Sequence, residues 1–241
     1  MHKRVRYFLA AVLFLGFVRT AFFSPVEVLT SSMIPTLTVG DHVLVNRMAY
    51  GLNVPSVALR RGLSMSAFTA REILDWAAPN HGEVVLFENP IEPGVYYVKR
   101  VVGVPGDTVE LVEGGLFVNG TARERGVQTG LSWKDGDCEG VTGFIQPEGT
   151  TEHRYWVADI AGRAANETFG PVIVPEQSLF VLGDNRDESA DSRVWGVVPR
   201  NAIRGRVIKT WLSTDECVGT VNFTWRSLHS PSQLFSDLVV L

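Results

Sequence analysis

Hydrophobic positions fall into one long apolar run near the start of the chain and many short alternating runs after it. Tyr7 to Val18 is almost purely apolar, and after Arg19 the run resumes through Ala21, Phe22 and Phe23. A spanning helix needs about 20 residues, with a lower limit of roughly 17. Residues 7–23 reach that limit only by including Arg19, which must sit near an interface and snorkel. Lys3, Arg4 and Arg6 precede the run, and a retained positive flank predicts a cytoplasmic N-terminus with the rest of the chain across the membrane. A cleavable secretory leader has the same charged and apolar regions. No small-x-small site stands out before Pro25, which favours an uncleaved anchor.

Beyond Pro25 the period becomes two, the spacing of a strand with one buried face. Val26 and Val28 alternate with polar Glu27. Gly40-Asp41 opens a strand-like stretch from His42 to Arg47. Glu83–Glu88 and Val95–Val102 read as strands separated by a Pro/Gly turn, and Thr108–Asn119 as a hairpin about Gly114-Gly115. Ser66–Trp76 has weak helical spacing. Ala122–Gly170 is polar, acidic and loop-rich, as an insertion would be. Strands return at Val172–Val174, Leu179–Leu182 and Ile203–Leu212. The expected fold class is mainly β: an antiparallel β-sheet core with an inserted cap region, preceded by one transmembrane helix. The expected divisions are a cytoplasmic N-terminus (1–6), an anchor (7–23), a core in two parts (24–121 and 171–213), the cap (122–170) and a C-terminal tail (214–241).

Composition narrows the function more than the fold. A chain of 241 residues, 45% hydrophobic and 20% charged, can bury a sizeable core. Its net charge of -4 gives no support for a nucleic-acid partner. The five histidines show no ligand spacing and the two cysteines form no CxxC pair, so neither a metal nor another cofactor is expected. Cys138 and Cys217 either form one disulfide, if the globular part lies outside the cytoplasm, or remain two thiols.

Three stretches can carry chemistry. Thr30-Ser31-Ser32-Met33-Ile34-Pro35-Thr36-Leu37 places hydroxyls in a turn directly after the apolar segment. Ser and Pro are ordinary turn residues, and a serine becomes a nucleophile only with a base. In Tyr97-Val98-Lys99-Arg100 a lysine interrupts a strand, sharing a face with Val95, Tyr97 and Val101. Desolvation on an apolar face favours its neutral form. A free ammonium at about 10.4 cannot take a serine's proton, whereas one lowered to roughly 8, a shift of about 3 kcal/mol, is a usable base. Alone, that strand better suits an edge lysine reaching to water. Gly183–Arg193 packs Asp184, Asp187, Glu188 and Asp191 among Arg186 and Arg193. It lacks the calcium-loop pattern and reads as an ion-paired scaffold, with Arg100 as a partner for a buried carboxylate. No histidine lies in a triad-like motif and Gly-x-Ser-x-Gly is absent.

Taken together, these stretches resemble the type I signal peptidases, membrane-bound Ser-Lys proteases that remove signal peptides from exported preproteins. The resemblance runs from the anchor to Ser213. It rests on Ser32–Leu37, Gly40-Asp41, Tyr97–Arg100 with Gly103-Val104-Pro105-Gly106-Asp107, and Gly183–Arg193. It implies that Ser32 attacks the scissile carbonyl and Lys99 takes its proton. The Ser32 N–H and the Thr30 hydroxyl would hold the oxyanion, and Ser189 would orient Lys99. Arg100 with Asp184, and Asp191 with Arg193, would support the site. Family members cut after small residues at -1 and -3, and the positions matching their pockets are Val26, Val28, Met33, Leu37, Val43, Leu86, Tyr97 and Val98. The implied partners are preproteins and the lipid bilayer, with the catalytic part on the outer side of the inner or plasma membrane. Two residues depart from the family pattern: Thr30 stands where serine is usual, and Leu29 where proline is usual.

Overall fold

The alternating stretches form three antiparallel sheets, among the residues that the computed structural model describes: 5–8, 10, 16, 22–51, 75–134, 139–150, 153–163, 168–215 and 220–228. The largest sheet has the spatial order β1 (Phe23–Glu27), β2 (Asp41–Asn46), β15 (Ile203–Asp215), β3 (Val84–Glu88), β4 (Tyr96–Gly103), β13 (Ser178–Leu182) and β14 (Val198–Pro199). β16 (Thr220–Ser227) also pairs with β15. β15 is long enough to serve three neighbours: β2 lies along one edge, while β3 at its start and β16 further on share the other. A second sheet orders β12 (Phe169–Ile173), β5 (Thr108–Val112), β6 (Gly115–Val118) and β7 (Thr121–Ala122). The third runs β11 (Arg154–Ile160), β10 (Gly140–Gly149) and β8 (Glu124–Arg125), with β9 (Thr129–Lys134) also on β10. A four-residue helix, α1 (Ser192–Trp195), follows β13.

The hairpin turn falls one residue earlier than the sequence suggests. Glu113 and Gly114 both have positive φ, 49° and 78°, the requirement of a tight two-residue hairpin loop, and Gly115 already begins β6. Residues 122–170, which look loop-rich, carry the whole third sheet. Gly140, Gly143, Pro147 and Gly149 within β10 dilute its alternation, yet Leu131, Trp133, Ile145 and Ala158 still fill a buried layer. Residues 214–241, which read as a tail, contain β16. Ser66–Trp76 lies outside the described residues except for Asp75 and Trp76, neither helical. Cys138 and Cys217 also lie outside them. In the apolar N-terminal segment, the described residues 5–8, 10, 16 and 22 are helical, and among the described residues no helix is long and apolar enough to cross a membrane.

Period-two alternation decides what each face of the main sheet packs. Val84, Leu86 and Val98 join one cluster with Val43 and Val45 from β2. Val85, Phe87, Tyr97 and Val101 join a second with Leu179 and Val181 from β13. Between these strands the register sets Lys99 opposite Val85 and Arg100 opposite Val84.

The entry into β2 is held from the far end of the chain. Gly40 has φ +85°, and a Cβ there would lie 1.9 Å from the carbonyl oxygen of Thr214, so the close approach of the β15 backbone demands glycine. Next to it, buried Asp41 accepts from Thr38 N–H at 2.9 Å and from Arg226 Nη2 at 2.6 and 2.8 Å. Arg226 is itself buried, so this pair ties β16 to β2 across β15. Removing one partner of a buried pair strands the other charge. Asp41→Asn is therefore expected to destabilise the fold by about 3 kcal/mol, seen as a lower midpoint in urea unfolding; an unchanged midpoint would refute this clamp.

Candidate active site

Ser32 sits in a single 3-10 turn, Ser31–Met33, entered from extended Thr30 (φ -135°, ψ 153°). Ser32 is 7% exposed and Lys99 1%. Their side chains meet: Lys99 Nζ donates to Ser32 Oγ at 2.5 Å. The Thr30 hydroxyl, on the exposed side, lies 3.2 Å from Ser32 Oγ. Burial pushes the Lys99 ammonium down to about 8; Asp191 and Asp184 work against that shift and Arg193 assists it. A desolvated amine that is neutral near pH 8, in contact with a hydroxyl, can receive that hydroxyl's proton.

The nucleophile turn is gripped by Gly183–Asn185. Asn185, fully buried, donates its backbone N–H to the Ser32 carbonyl at 3.1 Å and its Nδ2 to the Ser31 carbonyl at 3.3 Å. Gly183 leaves no room for a side chain: a Cβ would lie 2.2 Å from Ser189 Oγ and 2.5 Å from the Ser32 carbonyl oxygen. Arg100 donates Nε and Nη2 to the two Asp184 oxygens at 2.7 and 2.6 Å, and Nη1 to the Gly82 carbonyl at 2.6 Å. The Thr36 hydroxyl donates to Asp184 at 2.5 Å. Arg193 binds Asp191 through Nε and Nη2, both at 2.8 Å, and Asp191 also accepts the Gly183 N–H at 3.0 Å. Burial would raise the Asp191 carboxyl, but Arg193 and the Gly183 N–H outweigh it and hold it below its usual range.

The structure thus brings Thr30, Ser32, Lys99, Arg100, Asp184, Asp191 and Arg193 into one connected site. Ser189 is beside it. Its hydroxyl helps hold down the Asp191 carboxyl, yet Ser189 Oγ is buried and completes no hydrogen bond among the described residues, with Lys99 or any other group. Of the eight pocket candidates, Val28, Met33, Leu37, Val43 and Leu86 share one buried cluster, with Val26 and Val98 packed on its edge. Tyr97 packs instead in the cluster on the opposite side of β4, its ring centroid 5.6 Å from Lys99 Nζ.

Several participants are not apparent from the sequence stretches alone. Ile34, two residues after Ser32, packs among Leu131, Trp133, Ile145 and Ala158 of the third sheet. Ala158 N–H donates to the Asp184 carbonyl at 2.8 Å, and Ile160 N–H to Asp187 Oδ2 at 2.7 Å. Glu148, fully buried in β10, is held by Nη1 and Nη2 of Arg186, by Arg125 Nε at 2.9 Å and by the Tyr155 hydroxyl at 3.2 Å. The Tyr155 ring in turn lies 4.3 Å from the Arg100 guanidinium. Among the described residues no group of three or more His, Cys, Asp or Glu is placed to hold a metal ion.

Comparison with known proteins gives a consistent result. Residues 1–212 match the family described as "Signal peptidase, peptidase S26". Signal peptidase I of Pseudomonas aeruginosa is 34% identical over 214 residues, covering 84% of this chain and 69% of that protein. Signal peptidase I of Rickettsia typhi is 31% identical over 237 residues, covering 92% and 88%. A crystal structure of a signal peptidase I from Enterococcus faecalis V583 is 26% identical, covers 54% of this chain and 97% of that one, and superposes with a TM-score of 0.33.

The Glu148 network has a testable signature. Burial would raise the Glu148 carboxyl, but Arg186 and Arg125 outweigh it and hold it below its usual range. Its folded value is thus below its unfolded one, so its stabilising contribution is present above the unfolded value near 4.3 and is lost as pH falls through the folded value. Glu148→Gln should reduce stability at pH 7 by about 3–5 kcal/mol, with the gap to the parent protein closing in acid. Urea titrations at pH 7 and at about pH 3 measure it, and a gap that is absent or constant would contradict the account.

Proposed function

Because this chain belongs to the signal peptidase family, peptidase S26, we propose that it removes N-terminal signal peptides from preproteins as a serine endopeptidase with a Ser32–Lys99 dyad. The observation that carries the reading is the 2.5 Å contact between Ser32 Oγ and an Nζ whose burial brings it down to about 8. Neutral Lys99 accepts the Ser32 proton as Oγ attacks the scissile carbonyl. The Thr30 hydroxyl and the Ser32 N–H stabilise the oxyanion. The resulting ammonium gives its proton to the departing amine, leaving an acyl-enzyme. Neutral again, Lys99 draws a proton from water for hydrolysis, and Ser32 recovers its own. Ser189, whose hydroxyl is buried at this site, has a hydrogen bond to offer if Lys99 turns toward it when substrate occupies Ser32.

Specificity for small residues at -1 and -3 is supported by the apolar cluster beside Ser32. In an extended substrate these two side chains lie on one face, and Leu37 and Val43, both fully buried, close the floor beneath them. The apolar run at 7–23 with its basic flank supports a single-pass anchor with a cytoplasmic N-terminus and the catalytic sheets on the outer side of the inner or plasma membrane. Residues 24–121 and 171–213 form the catalytic core in this reading, with 122–170 as the cap.

Incubation with a preprotein bearing an Ala-x-Ala site tests the dyad. Ser32→Ala and Lys99→Ala should abolish cleavage while remaining folded, and full turnover by Lys99→Ala would eliminate it as the base. In the parent enzyme kcat/KM should rise with pH through about 8 as the amine loses its proton; a flat profile from about pH 6 to 9 would exclude this mechanism. Lys99 also has a stability consequence. Its folded value is depressed, so the unfolded chain binds more protons, and stability should climb with pH between about 8 and 10.5. Lys99→Met should remove that climb and, at pH 7, unfold at a higher denaturant concentration than the parent. Gly183→Ala, by displacing Ser189 or the Ser32 carbonyl, should reduce kcat on the order of 100-fold; near-parental turnover would show that the turn tolerates the shift.

A further inference from the structure

We infer that a cavity at the meeting point of the three sheets is a binding site for a small oxyanion of the phosphate class. The cavity has a volume of about 240 Å³. Val102 of β4, Leu116 of β6 and Tyr155 of β11, one from each sheet and all buried, give it apolar walls. Its polar lining comes from segments that carry none of the Ser32–Lys99 chemistry. Arg123 stands between β7 and β8, Thr150 and His153 belong to the turn from β10 to β11, and His81 precedes β3.

Charge decides the class of ligand. Among the described residues no carboxylate lines the cavity, and the acids close to it in the chain are already engaged. Asp107 accepts from His81 Nε2 and Asn119 Nδ2, both at 2.7 Å, and from the Val104 N–H at 2.8 Å. Glu124 is exposed and pairs with Arg154 at 3.8 Å, and Glu148 is held by Arg125 and Arg186. The Arg123 backbone N–H binds the Leu116 carbonyl at 2.7 Å, but its guanidinium completes no hydrogen bond or ion pair among the described residues. A guanidinium presents a fork of N–H donors matched to phosphate oxygens. The His153 ring adds one N–H in either neutral tautomer. The Thr150 hydroxyl accepts from the His153 backbone N–H at 3.1 Å and keeps its own proton to donate. A few convergent donors in a partly apolar cavity are what a small-ligand site requires, and the apolar walls suit the organic body of a phosphomonoester. A bound anion would join core to cap, beside the Tyr155 ring that lies on the Arg100 guanidinium.

Full-length protein would be titrated with inorganic phosphate and with phenyl phosphate at constant ionic strength, following histidine ring resonances by NMR and the midpoint of urea unfolding. Resonances of His81 and His153 should shift saturably while those of His42 stay in place. The urea midpoint should rise with ligand concentration, as for any ligand that binds only the folded state. Phenyl phosphate should bind roughly tenfold more tightly than inorganic phosphate, because its ring buries apolar surface. Arg123→Gln should weaken both ligands by about tenfold or more through loss of charge-assisted hydrogen bonds, and His153→Ala by roughly fivefold. Arg154→Gln, next to His153 but paired with Glu124, should leave binding within about twofold. Shifts that never saturate, or equal losses in Arg123→Gln and Arg154→Gln, would reduce the effect to general screening and overturn the inference. None of these readouts depends on peptide cleavage, so such a failure would leave the proposed function standing.

Discussion

The site depends on keeping one amine out of water against a serine hydroxyl. Burial alone favours neutral Lys99, but the loop that grips Ser32 brings two carboxylates, Asp184 and Asp191, near enough to pull the proton back. Each is occupied by its own arginine in bidentate geometry, Asp184 by Arg100 and Asp191 by Arg193. The ion pairs thus have an electrostatic role besides a geometric one. They let Asp191 organise the loop through the Gly183 and Arg193 N–H groups, and Asp184 through the Thr36 hydroxyl, while much of their charge is spent on guanidinium rather than on the base. A buried ion pair is weak evidence for stability; here its value lies in what it withholds from Lys99.

The third sheet belongs to the frame of this site. The turn carrying Ser32 is fixed on one side by Met33 in the core cluster and on the other by Ile34 among cap residues. The opposing loop is likewise shared: Gly183 and Asp191 bind within the core, while Asp184, Arg186 and Asp187 bind β10 and β11. Two loops that must stay within a hydrogen bond of each other are each anchored to both sheets. Relative motion of the sheets would therefore separate Ser32 from its supports, so the buried Glu148 network acts on positioning at a distance from the reacting atoms.

Much of this was legible in the sequence wherever the determinant was local. A lysine inside an apolar strand and hydroxyls in a turn are conspicuous departures from pattern, and alternation placed most strands to within a residue or two. The failures have specific causes. Glu148 is an acid in a Gly- and Pro-rich stretch, and only the pairing of β10 with β11 reveals that it is fully buried beside Arg186. Asp41 and Arg226 are 185 residues apart, and β16 exposes Val221 and Phe223 while burying Arg226, the reverse of the usual strand pattern, so the chain beyond 213 reads as a tail. Tyr97 and Val98 point to opposite faces of their strand and pack in different clusters, and it is Tyr97 that shares the face of Lys99, its ring centroid 5.6 Å from Nζ.

The short link between the apolar segment and the nucleophile constrains how such an enzyme can work. Phe23 begins β1 and Ser32 follows within ten residues, so even a fully extended chain could not place the serine more than roughly 30 Å from the end of that segment. β1 pairs with β2 over its whole length, which fixes the direction of that part of the link. If residues 7–23 lie in the bilayer, as proposed, the serine would act close to the membrane surface. There a cleavage site just beyond a signal peptide's own apolar segment is within reach, while sites in the folded body of an exported protein are not. In the proposed reading, selectivity would arise from two independent limits: the anchor would restrict where along a substrate the enzyme can cut, and the apolar cluster that includes Met33 and Leu37 would restrict which side chains flank the cut. Neither limit would require strong binding of the substrate's mature part, so such an arrangement would suit preproteins with unrelated sequences.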